Sequence, residues 1–106
     1  MSAETPDVTS NRAQLSGQIG ELDALRYTPA GVPLLRFRVL HRSRQVEAKI
    51  EREVECEIEA VALGPLAQVL NETGIQTRLC FDGFLAAKRR GAKQLVLHVT
   101  EFAVEN

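Results

Sequence analysis

At 106 residues the chain has room for one domain and no second core. Its 44% apolar and 25% charged composition excludes disorder throughout, and a net charge of −1 excludes a uniformly basic nucleic-acid binder. Cys56, Cys80, His41 and His98 are too scattered for a structural zinc site, which takes about four ligands at short spacings, so no metal or other cofactor is expected.

No apolar run approaches the ~18 residues that span a bilayer. The start, Met1 to Ser10, lacks the basic and apolar segments of a signal peptide. These features place the protein in the cytoplasm with reduced thiols. Residues 1–10 read as a disordered lead-in, and residues 11–106 as the folded domain.

The first strand runs from Arg12 to Ile19, with Ala13, Leu15, Gly17 and Ile19 on one face. Gly17 marks a bend or a close backbone approach. After a less regular segment, Leu22 to Thr28, Pro29-Ala30-Gly31-Val32-Pro33 reads as a turn. In the second strand Leu35, Phe37 and Val39 point inward, and Arg36, Arg38, Leu40, Arg42 and Arg44 point outward.

The alternation breaks between Gln45 and Lys49. It resumes from Ile50 to Val61, with Val54, Cys56, Ile58 and Ala60 facing in and Glu51, Glu53, Glu55, Glu57 and Glu59 facing out. Arg52 interrupts the inward set, so this strand starts late or carries a bulge; Arg52 is expected to point toward the binding groove.

Pro65 suits the first position of a short helix, Leu66 to Glu72, that ends at Gly74. In the fourth strand Leu79, Phe81 and Leu85 alternate with Arg78, Cys80, Asp82 and Phe84, and Gly83 sits at a bend. Lys88-Arg89-Arg90-Gly91-Ala92-Lys93 is a basic loop. The last strand, Gln94 to Val104, places Leu95, Leu97 and Val99 on one side and Val96 and Phe102 on the other. Apolar residues at both parities suggest an oligomer contact. Five strands with one short helix between the third and fourth give an all-β fold, the OB-fold Greek-key barrel.

Asn11-Arg12 before Leu15-Ser16-Gly17, then Pro29-x-Gly31-x-Pro33, Phe37-x-x-x-His41-Arg42-Ser43 and Leu95-Val96-Leu97-His98 occur in one order along this pattern. Together they resemble the primosomal replication protein N (PriB) family, OB-fold relatives of the single-stranded DNA-binding proteins. The resemblance implies a homodimer that binds single-stranded DNA in the restart of bacterial replication. Its implied partners are the restart helicase PriA and the loader protein DnaT. The sequence ends at Val104-Glu105-Asn106 with no long acidic tail, which favours the primosomal branch.

The basic loop is the first candidate DNA site. Lys88, Arg89, Arg90 and Lys93 lie in the segment that flanks the groove of an OB-fold, where cations follow a phosphate backbone without reading sequence. A solvated hairpin tip is the alternative. Arg42, Arg44 and Arg52 are further candidates, and for the outward arginines an ion ladder with the glutamates competes with DNA contact.

The resemblance also implies that this sheet surface meets DNA, in some members through an aromatic residue in the third strand. Here Glu55 stands in the row where such a ring is expected. Arg26 and Tyr27, in the other groove-lining segment, are candidates to meet a phosphate and stack a base. Phe84 is a possible stacking ring, with a dimer interface the preferred alternative.

No P-loop or nucleophile elbow is present, and the protein is expected not to be an enzyme. Two functions follow. One is a single-stranded DNA-binding accessory protein that grips mainly electrostatically and stimulates or bridges PriA. The other is a protein–protein adaptor with marginal DNA binding, in which Glu53 and Glu57 face the partner.

Overall fold

A computed structural model describes residues 9–75 and 77–105. Six strands and one helix follow in order: β1 (Ala13–Leu22), β2 (Arg26–Tyr27), β3 (Pro33–Glu47), β4 (Ile50–Leu63), α1 (Pro65–Thr73), β5 (Arg78–Ala87) and β6 (Leu95–Val104). β2 is a two-residue ladder beside the start of β3, so five long strands build the sheet. The expected lead-in, residues 1–10, lies outside the described residues except for Thr9 and Ser10, which are exposed and outside any strand.

The sheet runs β1-β5-β6-β4-β3-β2, and an additional β1–β3 pairing closes it into a barrel. β1 serves both ends of the closure: its first half pairs with β5 and its second half with β3. That change of partner brings β1 against β3 at Gly17. A Cβ there would fall inside the van der Waals shell of the Leu40 carbonyl oxygen, so the close approach requires glycine. Gly20, next along β1, is left unpaired between Ile19↔Val39 and Glu21↔Arg38, a bulge that steepens the bend.

The interior holds Ile19, Leu35, Phe37, Val39, Ala60, Ala62, Leu79, Phe81, Leu97 and Val99, all buried. Phe37 and Phe81 meet with ring centroids 5.7 Å apart. Each fully buried side chain of this size stabilises the fold by ~1.5–3 kcal/mol.

α1 adds Ala67 and Leu70 to the same core. Proline occupies its first turn, and the Gly74 amide closes its end by donating to the Leu70 carbonyl at 3.2 Å. The expected turn at Pro29–Gly31 is also present. Gly31 donates to the Thr28 carbonyl at 2.7 Å, and the Thr28 hydroxyl accepts from the Val32 amide at 3.1 Å.

Three expectations need correction. The break expected between Gln45 and Lys49 is shorter than that: the alternation continues to Glu47, and only Ala48 and Lys49 leave it. β3 and β4 stay in register as far as Glu47↔Ile50 and reverse through Ala48 and Lys49, at φ 52° and 67°. Two left-handed residues make a tight hairpin turn, here without the Asn or Gly that usually signals one.

Val54 and Cys56 do not face a core. β1 leaves β3 after Leu40, and β6 joins β4 only from Glu59. Residues 41–56 are therefore a two-stranded arm, in which Cys56 is exposed and Val54 only half-buried, while Ile58, opposite Val39, still packs on the core.

Finally, β6 is not apolar on two faces along its length. The pairs Asp82↔Glu101 and Gly83↔Val99 leave Thr100 without a partner. This bulge resets the alternation, returning Phe102 to the side of Leu97 and Val99, where it packs on the core. Gly83 permits it, because a Cβ at that position would overlap the His98 carbonyl. Val96 does face outward, yet it is buried beside Val61 within one chain. The mixed parity of β6 is thus accounted for without an oligomer.

Candidate nucleic-acid interface

The outer face of β3 and β4 carries two charge rows because alternate residues of a strand share a side and paired residues of neighbouring strands point the same way. Arg36, Arg38, Arg42 and Arg44 stand on β3; Glu51, Glu53, Glu55, Glu57 and Glu59 stand on β4. The rows interlock. Arg38 donates to Glu57 at 2.7 Å and Arg42 to Glu55 at 2.8 Å. Arg44 reaches Glu51 at 3.2 Å and Glu53 at 3.7 Å, and Arg36 lies 3.9 Å from Glu59.

Some partners are directly opposite and some diagonal: Arg38 faces Glu59 in register but bonds Glu57. The hydrogen bond to Glu57 raises the Arg38 pKa above its ordinary value, helped by the charges of Glu57, Glu21 and Glu59. Arg42 is raised in the same way, first by its bond to Glu55. Both guanidiniums are therefore charged at any working pH.

The loop joining β5 to β6 borders this face. Lys88 Nζ lies 3.1 Å from a Glu59 carboxylate oxygen. Lys88 also lines a polar depression with Glu21, Asp23, Arg36 and Arg38. The Lys88 amide donates to the Gln94 carbonyl at 2.8 Å, and a turn from Arg89 to Ala92 closes the tip. Gly91 takes the left-handed conformation there, φ 80°. Arg89, Arg90 and Lys93 are exposed and form no ion pair among the described residues.

The remaining candidate residues divide between surfaces. Arg26 is exposed opposite Leu34, on the side of the arginine row. Tyr27 is 60% exposed, but its partner is Pro33, so it stands on the other side of the ladder. Arg52 pairs with Gln45 on the opposite face of the arm from Arg42 and Arg44, and it bonds Glu47. No bulge interrupts the arm at Arg52; its place in the inward alternation is real, but that face is open to solvent once the arm has left the barrel.

Glu53 and Glu57 are both engaged with arginines. Phe84 stacks on His98 with centroids 4.9 Å apart, beside an apolar hollow lined by Val61, Leu63 and Leu66; Val61, Leu63 and His98 also border Arg36 and Lys88.

Two features were not assigned from sequence. His41 roots the arm. Its Nδ1 lies 2.6 Å from the Ser16 carbonyl, which can only accept, so Nδ1 donates there, and Nε2 lies 2.7 Å from the Ser43 hydroxyl, which can either donate or accept. Gln45 donates to the same hydroxyl at 2.9 Å. Asn11 acts as an extra rung beside β5, its side chain donating to the Leu85 carbonyl at 2.7 Å and accepting from the Leu85 amide at 3.0 Å. The quoted motif residues Asn11, Gly17, His41 and Ser43 thus serve the frame of the site.

Residues 11–101 match a family described as another single-strand binding protein family. The chain is 41% identical over 98 residues to the replication restart protein PriB of Nitrosomonas europaea, covering 91% of each. It is 42% identical over 91 residues to that of Bordetella pertussis, covering 86% of this chain and 85% of the relative. The chain belongs to the PriB family.

The solved structure of PriB from Ralstonia solanacearum superposes with a TM-score of 0.83 at 37% identity, covering 92% of this chain and all (100%) of that one. The single-stranded DNA-binding protein of Thermus aquaticus superposes at 0.70 with 19% identity over 92% of this chain and 51% of its own. That second likeness concerns the fold alone. In this PriB-family barrel the surface between the β5–β6 loop and the arm is lined by cations, carboxylates and Leu40, with no aromatic ring in the charge rows.

Proposed function

We propose that the protein binds single-stranded DNA in replication restart, mainly through electrostatic contact with the phosphate backbone, and performs no chemistry. The observation that carries this reading is the junction of Lys88 with Glu59, which sets the basic loop at the border of the arginine face. Arg89, Arg90 and Lys93 project from it, Arg26 lies on the same side, and Arg42 and Arg44 continue the path outward.

With no ring in the rows, the stacking that contributes ~1–3 kcal/mol per base elsewhere is missing, so contact is weak, indifferent to sequence and sensitive to salt. Tyr27 and Arg52 stand outside this path. The partnerships that go with this role are a homodimer, the helicase PriA and DnaT, and the place of action is the cytoplasm.

A second reading is favoured by the ion pairs on the arm: a face whose arginines are already neutralised suits a protein partner, with Glu53 and Glu57 toward PriA. Fluorescence anisotropy separates the two readings. Labelled oligodeoxythymidine, duplex DNA and PriA are each titrated at two salt concentrations. Single-strand binding that exceeds duplex binding and falls with salt supports the first reading. Tight binding of PriA with no measurable affinity for the oligonucleotide replaces it with the second.

A further inference from the structure

The carboxylates of β4 recur at every second residue, so the row presents a negative charge every ~6.8 Å along an extended backbone. A stretched polynucleotide offers the same kind of ligand: a flexible line of evenly spaced single negative charges. Every arginine of the facing row is within 4 Å of that internal ligand, Arg36 at 3.9 Å, Arg38 at 2.7 Å, Arg42 at 2.8 Å and Arg44 at 3.2 Å. Lys88, the loop residue nearest the face, is held by Glu59 at 3.1 Å.

The contacts are exchangeable. Arg42 and Glu55 have side chains 74% and 63% exposed, and exposed pairs of this kind are weak because water screens them and two long side chains must be ordered.

We infer that the glutamate row is a built-in substitute for the phosphate backbone. It occupies the arginines when no strand is bound, and a strand reaches Arg38 only by displacing Glu57, Arg42 by displacing Glu55, and Arg44 by displacing Glu51 and Glu53. Glu55 and Glu57 are then affinity-setting residues that never touch the ligand. The salt dependence of binding is shallower than the number of cations suggests, because each carboxylate displaced from its arginine takes up a cation as the phosphate gives one up. Arg89, Arg90 and Lys93, which form no ion pair among the described residues, make first contact.

This inference rests on the single-strand reading above. The test compares full-length Glu55→Gln/Glu57→Gln with Glu72→Gln/Glu101→Gln, which changes net charge equally at exposed sites outside the row. Binding of labelled oligodeoxythymidine is followed across a salt series, with thermal melts to verify the fold.

The row variant should bind about 5–10-fold more tightly, with a log K against log salt slope steeper by ~0.7 for each arginine released. The control should gain much less. Glu55→Gln alone, freeing only Arg42, should show about half the slope change. Equal gains in row and control variants, or no gain in the row variant while the wild type binds, overturn the inference alone. Absence of single-strand binding in wild type and row variant together overturns it along with the reading beneath it.

Discussion

Lys88 and Glu59 are joined at 3.1 Å across the gap between the β5–β6 loop and β4. One end of the basic cluster is therefore anchored to the sheet while the other end is free. A wholly solvated hairpin tip would leave all four cations equivalent. The anchored arrangement instead divides Lys88, which sets where the loop sits, from Arg89, Arg90 and Lys93, which are available to a ligand.

The combined substitution Arg89→Ala/Arg90→Ala/Lys93→Ala is expected to weaken single-strand binding about tenfold. It should flatten the log–log salt slope by ~2, at ~0.7 per lost phosphate contact. Because Lys88 is kept, the anchor and the fold are preserved. Anisotropy at several salt concentrations reads both quantities; an unaltered slope would remove the loop from the interface.

Gly17→Ala and Gly83→Ala each place a methyl group against backbone, the Leu40 carbonyl in one case and the His98 carbonyl in the other. Backbone has less freedom to yield than a side chain, so each change should cost about 2–3 kcal/mol and lower Tm by ~10 °C or more. Gly64→Ala probes a different origin of strain: it has open space around it, but φ 80° and ψ −156° lie in a region essentially confined to glycine, so the cost, ~1–3 kcal/mol, is in the backbone and not in a clash. Thermal melts followed by circular dichroism give the order.

His41→Ala removes the donor to the Ser16 carbonyl and the hydrogen-bond partner of the Ser43 hydroxyl. Losing a buried or half-buried partner costs ~1–3 kcal/mol, and the loss falls at the root of the arm. Hydrogen exchange should quicken for amides of residues 41–56 while those of Phe81 and Leu97 in the barrel stay protected. Uniform acceleration through the whole molecule would show that His41 supports the barrel and not the arm.

The hollow beside Phe84 is the best-placed surface for the proposed homodimer, since Phe84 and Leu63 are 39% and 48% exposed there and, His98 and Thr100 apart, the rest of its lining is apolar. Phe84→Glu should shift the protein from dimer to monomer in sedimentation velocity at micromolar concentration, with an unchanged circular dichroism spectrum. A dimer that survives this substitution pairs through another face.

Much of this architecture was legible in the sequence because it is written in short-range patterns. Period-two alternation located the long strands, and Pro65 and Gly74 bracketed the helix. Gly17 and Gly83 were recognisable as backbone constraints, although their partners, Leu40 and His98, belong to other strands and were not. The bulge at Thr100 was invisible for the same reason: a shift in register is a property of two strands, and β6 alone looks apolar on both sides.

The arm was hidden by its own regularity. The alternation of Val54, Cys56 and Ile58 is the same inside and outside the barrel, and only the pairing limits at Leu40 and Glu59 decide where covering neighbours stop. The two charge rows were plain in the sequence, but the diagonal choice of Glu57 by Arg38 was not. Arg52 was misplaced because its face becomes apparent only once the hairpin is known to be unbroken.

β3 and β4 pass without interruption from the barrel wall to the tip at Ala48 and Lys49. The hairpin is consequently geared to the wall. The two ribbons that end in Val46 and Ile50 are the ones that carry Arg36 and Glu59 beside the basic loop, so a contact made at the tip and one made at the loop share a single pair of backbones.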